Sequence, residues 1–302
     1  MKFVTAVKNQ VEFVGVIVEG QELIFNLHTI DEARGTKKTP NHLIDCIEQG
    51  EAFVQHVKDC ISWVESQDQT GTFVYPISEV KLLAPIPRPS KNIFCIGKNY
   101  VEHALEMGTK EDIPEHVMVF TKPPTSVIGH NDPIDLHSQV TSALDYEGEL
   151  AVIIGKKGKN ISREEADQYI FGYTIINDVT ARDMQSRHKQ FFMGKSLDTS
   201  CPMGPWIVHH SGVDNPSNLQ ITTKVNEETR QDSSTKHLIF PIDELISTLS
   251  QGRTLEPGDI IATGTPKGVG KGFNPPRFLK AGDVVEITVE GIGTLTNRVE
   301  DL

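Results

Sequence analysis

The most informative stretch of the chain runs Asp145-Tyr-Glu147-Gly-Glu149-Leu-Ala-Val-Ile153, where closely spaced carboxylates lead straight into an apolar run. Residues two apart in a strand share a face, so this pattern predicts that Glu147 and Glu149 point the same way. Gly148 between them has no side chain to crowd the backbone. Two adjacent carboxylates repel each other, so the pair needs a positive partner, unless it lies exposed at the edge of a sheet.

A third acid, Asp178, ends the next apolar run, Tyr173-Thr-Ile-Ile-Asn-Asp178. Three carboxylates without a histidine or cysteine suit a hard cation with oxygen ligands, and they would make a poor zinc site. The sequence therefore predicts that Glu147, Glu149 and Asp178 hold Mg²⁺ or Mn²⁺.

Around these acids, strands outnumber helices and do not alternate regularly with them. The predicted strands after residue 90 are 92–96, 117–121, 149–154, 173–177, 206–208, 221–225, 259–263 and 284–289. Short helices are predicted after Ser162, by a capping box with Glu165, and from Pro241 to Gly252. This arrangement predicts a β-rich α+β fold with a mixed or antiparallel sheet, and it argues against a doubly wound fold.

The N-terminal part has a different character. Residues 3–30 alternate β-type runs with polar breaks, and Thr39-Pro40 predicts the start of a helical segment that Gly50 divides in two. The run Pro85-Ile-Pro87-Arg-Pro89 can form neither a helix nor a central strand, so it is interpreted as a linker. We therefore expect a smaller N-terminal domain over residues 1–88 and a larger domain over residues 89–302.

Composition excludes several classes of partner. The chain has 302 residues, with 29 Lys and Arg against 41 Asp and Glu, and a formal charge of −12. Binding of a polyanion needs clustered cations, so neither nucleic acid nor an anionic membrane is expected as a partner. No signal-peptide pattern occurs at the start, and the apolar runs are far shorter than the roughly 18 residues that span a bilayer. The four cysteines have no zinc-type spacing, which indicates free thiols in the cytoplasm.

A short helix is predicted between Asn99 and Gly108, and it places His103 and Glu106 on one face. A carboxylate that orients an imidazole raises its basicity, as in a general base for water. An ordinary surface pair has the same spacing, so this alternative stays open.

Positive charges follow Asp178, and Arg182 and Lys195 are the candidates to bind an anionic substrate. A solvated helix face is the alternative interpretation, and it is preferred for Arg187 and Lys189. The glycine-rich stretch from Ala262 to Gly272 fails both the Walker A and the dinucleotide spacing. Its backbone N–H groups are predicted to hold a carboxylate or enolate oxygen.

Together these segments resemble the fumarylacetoacetate hydrolase family over about residues 92–296. The similarity is greatest to a bacillar branch that includes oxaloacetate decarboxylase, and acylpyruvate hydrolases share its catalytic motifs. Five motifs carry the resemblance, in the order of the family: Gly97-Lys-Asn-Tyr-x-x-His103, Asp145-Tyr-Glu-Gly-Glu149, Asn177-Asp-Val-Thr-Ala-Arg-Asp183, Gly194-Lys-Ser and Thr263-Gly-Thr-Pro-x-Gly-Val-Gly270.

The resemblance implies a mixed β-roll catalytic domain behind a smaller N-terminal α/β domain, assembled as a homodimer. It implies the same three Mg²⁺ or Mn²⁺ ligands, and it gives His103 and Glu106 the role of activating water. The remaining implied site residues are the active-site lysine, Lys195, and four substrate contacts, Lys122, Arg182, Gln185 and Thr265. The shorter N-terminal part argues against fumarylacetoacetate itself as the substrate.

The predicted activity is metal-dependent cleavage of a C–C bond in small, anionic 2-oxo dicarboxylates through a stabilised enolate. Decarboxylation of oxaloacetate to pyruvate and CO₂ is placed first. Hydrolysis of an acylpyruvate by activated water is the alternative, and isomerisation of an unsaturated diacid would use the same enolate. A partner-binding protein that keeps the fold is the non-enzymatic alternative, and the complete set of site residues argues against it.

Overall fold

The structure is a computed structural model that describes residues 1–18, 20, 22–67, 71 and 73–302. In this part of the chain no helix is both long and apolar enough to cross a bilayer. The four cysteines are buried and free, as the sequence predicts.

The N-terminal part consists of strands followed by three helices and two further short strands. They are β1 (Lys2–Lys8), β2 (Val11–Ile17), β3 (Leu23–Asn26), α1 (Leu27–Ala33), α2 (Leu43–Glu48), α3 (Glu51–Glu65), β4 (Val74–Pro76) and β5 (Lys81–Leu82). The sequence did not predict α1, which begins where the Asn26 side chain accepts the N–H groups of His28 and Thr29.

The rest of the chain is richer in strands. Up to the carboxylate motif it forms β6 (Ile93–Gly97), α4 (Val101–Met107), β7 (Met118–Lys122), β8 (Val127–Ile128), β9 (Ile134–Asp135) and β10 (Leu144–Asp145). Then follow β11 (Gly148–Ile154), β12 (Gly158–Lys159), β13 (Ile170–Asn177), β14 (Thr180–Ala181), α5 (Arg182–His188), α6 (Phe192–Lys195) and β15 (Cys201–His209). The last elements are β16 (Gln220–Val225), β17 (Glu228–Ser234), α7 (Ile242–Ser250), β18 (Thr254–Leu255), β19 (Ile260–Ala262), β20 (Val284–Val289) and β21 (Gly293–Glu300).

Two mixed sheets organise most of these strands, and the described residues also form two small two-stranded sheets, β10 with β14 and β12 with β18. The larger sheet has the order β4-β3-β2-β1-β15-β13-β11-β19-β6-β7, with β5 and β8 paired at its sides, and the second has the order β17-β16-β20-β21-β9. Most ladders are antiparallel, whereas β6 with β19, β8 with β15, and β9 with β21 run parallel. The predicted β-rich α+β class is therefore confirmed.

The N-terminal strands continue the larger sheet, because β1 pairs with β15 through Lys2–Val208 and Phe3–Ile207. The division at residue 88 therefore does not interrupt this sheet. Whether residues 1–88 fold as a separate unit stays a prediction.

Strand β11 is buried on both faces, which explains its uninterrupted apolar sequence. Leu150, Val152 and Ile154 belong to the core that includes the second sheet, and Ala151 and Ile153 pack with the N-terminal helices. Gly148 at its start meets the second sheet so closely that a Cβ atom would overlap the Thr223 hydroxyl. This burial fixes the position of the acids that precede and open the strand.

Two helix predictions need correction. Helix α2 begins at Leu43 rather than at Thr39-Pro40, because the Asp31 carboxylate takes the N–H groups of Lys38 and Thr39 at 3.0 and 2.7 Å and holds them in a loop. The segment after Ser162 is a 3₁₀ helix, Arg163–Tyr169, and the Ser162 hydroxyl donates to the side chain of Glu165 instead of capping the backbone.

Candidate active site

The three predicted metal ligands come together where β11 and β13 pair. Gly148 lies opposite Asn177 in this antiparallel ladder, so the acids at the start of β11 meet the acid just after β13. Oxygens of Glu147, Glu149 and Asp178 lie within 4.8 Å of one another, and all three side chains are buried. Strand register therefore creates the carboxylate cluster.

Three side-chain cations contact two of these acids. Lys195 Nζ lies 2.9 Å from Glu147 Oε2 and 2.7 Å from Asp178 Oδ2. Lys122 Nζ lies 2.8 Å from Asp178 Oδ1, and Arg182 Nη1 lies 2.7 Å from Glu147 Oε1. These three cations of the protein thus balance most of the negative charge of the buried Glu147 and Asp178 side chains.

Glu149 is different, because it forms no ion pair with any described residue and accepts only the Gly264 N–H, at 2.8 Å. Burial, with repulsion from Asp178 and Glu147, raises the pKa of Glu149 well above its ordinary value. A buried carboxylate without a cation, beside two further carboxylates, is a donor set that fits Mg²⁺ or Mn²⁺. Glu147, Glu149 and Asp178 are therefore the residues that would hold such an ion.

The charge states of the neighbouring groups follow from the same contacts. Burial alone would raise the pKa of Glu147, but Lys195 and Arg182 outweigh it and lower that pKa to about 2. Burial also disfavours the charged form of Lys195, but Asp178 and Glu147 outweigh it and raise its pKa. At neutral pH Lys195 is therefore an ammonium group that donates hydrogen bonds and cannot act as a base.

Helix α4 carries the predicted histidine and glutamate over the site. His103 Nδ1 lies 3.3 Å from Glu106 Oε2, and Glu106 Oε1 accepts the Gly268 N–H at 2.9 Å. Because Nδ1 faces the carboxylate, the other ring nitrogen of His103 is left for a reacting group. His103 is buried and the loop holds Glu106 beside it, so the two residues are not an ordinary pair on the surface.

The glycine-rich loop differs from its prediction. Its N–H groups bind carboxylates of the protein itself: Gly264 to Glu149, Gly268 to Glu106, and Gly270 and Lys271 to Asp145. These four donors are therefore not available to a substrate oxygen, and they fix the acids of the site instead.

Six of the predicted site residues line one cavity of about 390 Å³: His103, Glu147, Arg182, Gln185, Lys195 and Thr265. Lys122 lies behind Asp178 and is fully buried, where its ammonium also donates to the main-chain oxygens of Val179, at 2.9 Å, and Lys195. This position gives Lys122 the role of holding Asp178 rather than facing the cavity.

Three residues of the site were not predicted. Asp145 binds Arg182 Nε at 2.8 Å as well as the glycine-rich loop, Lys271 lines the cavity, and the Phe120 ring lies 4.9 Å from Lys195 Nζ. Two of them could have been found from the sequence: Asp145 belongs to the same motif as Glu147 and Glu149, and Lys271 lies among the glycines of the loop. No sequence pattern distinguished Phe120 from an ordinary strand residue.

Comparison with known proteins identifies the family of the chain. The model of the family described as fumarylacetoacetate (FAA) hydrolase C-terminal matches residues 92–300. The chain is 56% identical over 301 residues to oxaloacetate tautomerase YisK of Bacillus subtilis, covering 99% of this chain and 100% of that protein.

Solved structures give the same result. Fumarylacetoacetate hydrolase from Exiguobacterium antarcticum is 39% identical, with a TM-score of 0.82 and full coverage of both chains. Maleylpyruvate hydrolase from Sphingobium sp. SYK-6, solved in complex with manganese(II) ion and pyruvate, is 28% identical, with a TM-score of 0.78 and 99% coverage of both chains. As the motifs predict, the chain belongs to the fumarylacetoacetate hydrolase family.

Proposed function

We propose that the protein interconverts the keto and enol forms of oxaloacetate, assisted by Mg²⁺ or Mn²⁺. One observation carries the proposal: a protonated lysine, Lys195, and an imidazole oriented by a carboxylate, His103, line the same cavity beside the carboxylate cluster. The similarity to oxaloacetate tautomerase YisK supports this choice of substrate and reaction.

The reaction needs one proton to leave C3 of the keto form and one to reach the oxygen on C2. The free ring nitrogen of His103 takes the proton from C3, and Glu106 stabilises the imidazolium that results. Lys195 donates a hydrogen bond to the C2 oxygen as negative charge develops there. The His103 imidazolium then gives its proton to that oxygen, which completes the enol and returns the histidine to its neutral form. A bound divalent cation supplies Lewis-acid withdrawal of electrons from the 2-oxo acid.

Tautomerisation breaks no C–C bond. It therefore requires only proton transfer from these groups, whereas decarboxylation and acylpyruvate hydrolysis also require C–C cleavage. Decarboxylation of oxaloacetate stays a prediction, because loss of CO₂ passes through the same enolate. Hydrolysis of an acylpyruvate is the second candidate, and the His103–Glu106 pair supports it, since this pair can also activate water.

The test follows enol absorbance and the release of pyruvate in the same oxaloacetate solution, with Mn²⁺ and purified protein. We expect the keto–enol equilibrium to be reached faster than in buffer, and His103→Ala and Lys195→Met to lose at least tenfold in rate. The surface variant Lys8→Met should keep the full rate. An enol decay equal to that in buffer would contradict the proposal, and rapid pyruvate release would favour decarboxylation.

Assembly and location are also proposals. We infer a homodimer in the cytoplasm that acts on a small anionic substrate, with neither nucleic acid nor a membrane as partner. Exposed apolar side chains on α4, β7 and α6 support the dimer: Val101, Leu105, Val119, Phe192 and Met193. The molar mass measured by light scattering during size-exclusion chromatography tests it, and a value near 33.5 kDa would contradict it.

A further inference from the structure

Lys271 is a cation of the cavity that the carboxylate cluster does not engage. Lys271 lies in the glycine-rich loop, where its backbone N–H donates to Asp145 Oδ2 at 3.0 Å, and its half-buried side chain lines the cavity. Its ammonium forms no ion pair or hydrogen bond with any residue that the structure describes. Asp145 thus fixes the backbone of Lys271, while the Lys271 ammonium remains available to bind an anionic ligand.

The other cations of the cavity are paired with carboxylates or exposed, although the Nη2 atom of Arg182 is buried without a hydrogen-bond partner among the described residues. Lys195 and Arg182 neutralise the carboxylate cluster, and Lys98 pairs with Asp112 at 2.9 Å. Lys189 is exposed, so water screens its charge. Burial, Arg182 and Lys98 lower the pKa of Lys271, and they outweigh Asp145, which raises it but is itself paired with Arg182.

The cavity therefore offers two cationic regions. Lys195 lies at the carboxylate cluster, where the 2-oxo acid end of a substrate would be bound, and Lys271 belongs to the loop beside Arg182 and Lys98. A volume of about 390 Å³ leaves ample room for a four-carbon diacid between them.

We propose that Lys271 binds the second carboxylate of the substrate and thereby selects dicarboxylates over monocarboxylates. The inference deepens the proposed function, since oxaloacetate carries a second carboxylate. It extends equally to any other 2-oxo diacid that the site accepts.

A binding experiment tests this inference without depending on turnover. Malate and lactate are both 2-hydroxy acids and differ chiefly by the second carboxylate, and calorimetric titration into the Mn²⁺-loaded protein gives their dissociation constants. We expect malate to bind at least tenfold more tightly than lactate, and Lys271→Met to remove most of this difference by weakening malate alone. Lys271→Arg should restore part of it.

Two further variants make the result specific. Lys267 lies in the same loop but is exposed and pairs with Glu102 at 3.0 Å, so Lys267→Met should keep the preference for malate. If Lys271→Met keeps it, or if Lys189→Met removes it instead, the inference is overturned. Failure of the proposed function looks different: the malate preference would persist while oxaloacetate enol decays at its rate in buffer.

Discussion

The carboxylate of Glu106 accepts the backbone N–H of Gly268 across 2.9 Å, and this bond joins helix α4 to the glycine-rich loop. The same carboxylate faces His103 Nδ1, so the loop sets the position of the histidine through Glu106. The acid–base group therefore depends on a loop more than 160 residues away in sequence.

Gly268→Ala should displace this loop. Gly268 has φ +104°, and a Cβ atom there would overlap the carbonyl oxygen of Arg230. We expect at least a tenfold loss of kcat and a loss of about 1–3 kcal/mol of stability, from the strained backbone and the clash together. The matched control is Gly282→Ala, at φ +93° with open space around it, which adds backbone strain without a clash. Equal kcat values for the two variants would contradict the role of the loop.

Asp145→Asn should destabilise the protein strongly. Asp145 is fully buried and binds Arg182 Nε at 2.8 Å and the Gly270 N–H at 2.7 Å. Removal of the Asp145 charge leaves the buried Arg182 with Glu147 as its one carboxylate partner among the described residues, and breaking a buried ion pair in this way costs about 3–5 kcal/mol. Urea unfolding measures this loss. Glu79→Gln breaks the exposed pair with Lys8 and should cost less than about 1 kcal/mol, and a similar value for Asp145→Asn would refute the prediction.

Metal binding should raise the melting temperature. A ligand that binds only the folded state adds about 2.7 kcal/mol of stability at a hundred times its Kd. After EDTA treatment and dialysis, Mn²⁺ should therefore shift the thermal melt upward, and Glu149→Gln should abolish the shift. Glu256→Gln, which alters a carboxylate on the surface, should keep it. No shift in the unaltered protein would count against the carboxylate site.

Stability should fall in mild acid through His209. Burial first, then His210, the N-terminal amino group and Lys58, lower the pKa of His209 to about 4 in the folded protein. The unfolded chain binds the proton near pH 6.5, so stability is complete above that pH and decreases as the pH falls toward 4, by roughly 2–3 kcal/mol. His209→Gln should flatten the dependence between pH 6.5 and 4, whereas His42→Gln, at the surface, should not.

His103→Ala separates the candidate reactions. Hydrolysis of acetylpyruvate needs activated water, whereas loss of CO₂ from oxaloacetate does not, so the variant should harm hydrolysis more. The two rates can be compared wherever the unaltered protein shows both. Equal losses would indicate that His103 serves the enolate rather than water.

The element types near the site could be predicted because they follow local patterns. The run after Glu149 is a buried strand, and His103 lies on a helix that ends before Gly108. Helix α2 was misplaced because its start depends on Asp31, whose side chain comes from a preceding helix and binds the backbone at Lys38. Propensity at Thr39-Pro40 carries no information about that contact.

Short sequence motifs therefore suffice to identify most of the site residues: acids at the start of a strand, a histidine and a glutamate three residues apart, and a glycine-rich loop. Their roles required the tertiary structure. In the structure, Lys122 holds Asp178, and the N–H groups of the loop bind acids of the protein itself. The Lys271 ammonium forms no ion pair among the described residues. Local spacing fixes which side chains share a face, but long-range packing decides which charges meet and which remain available for a ligand.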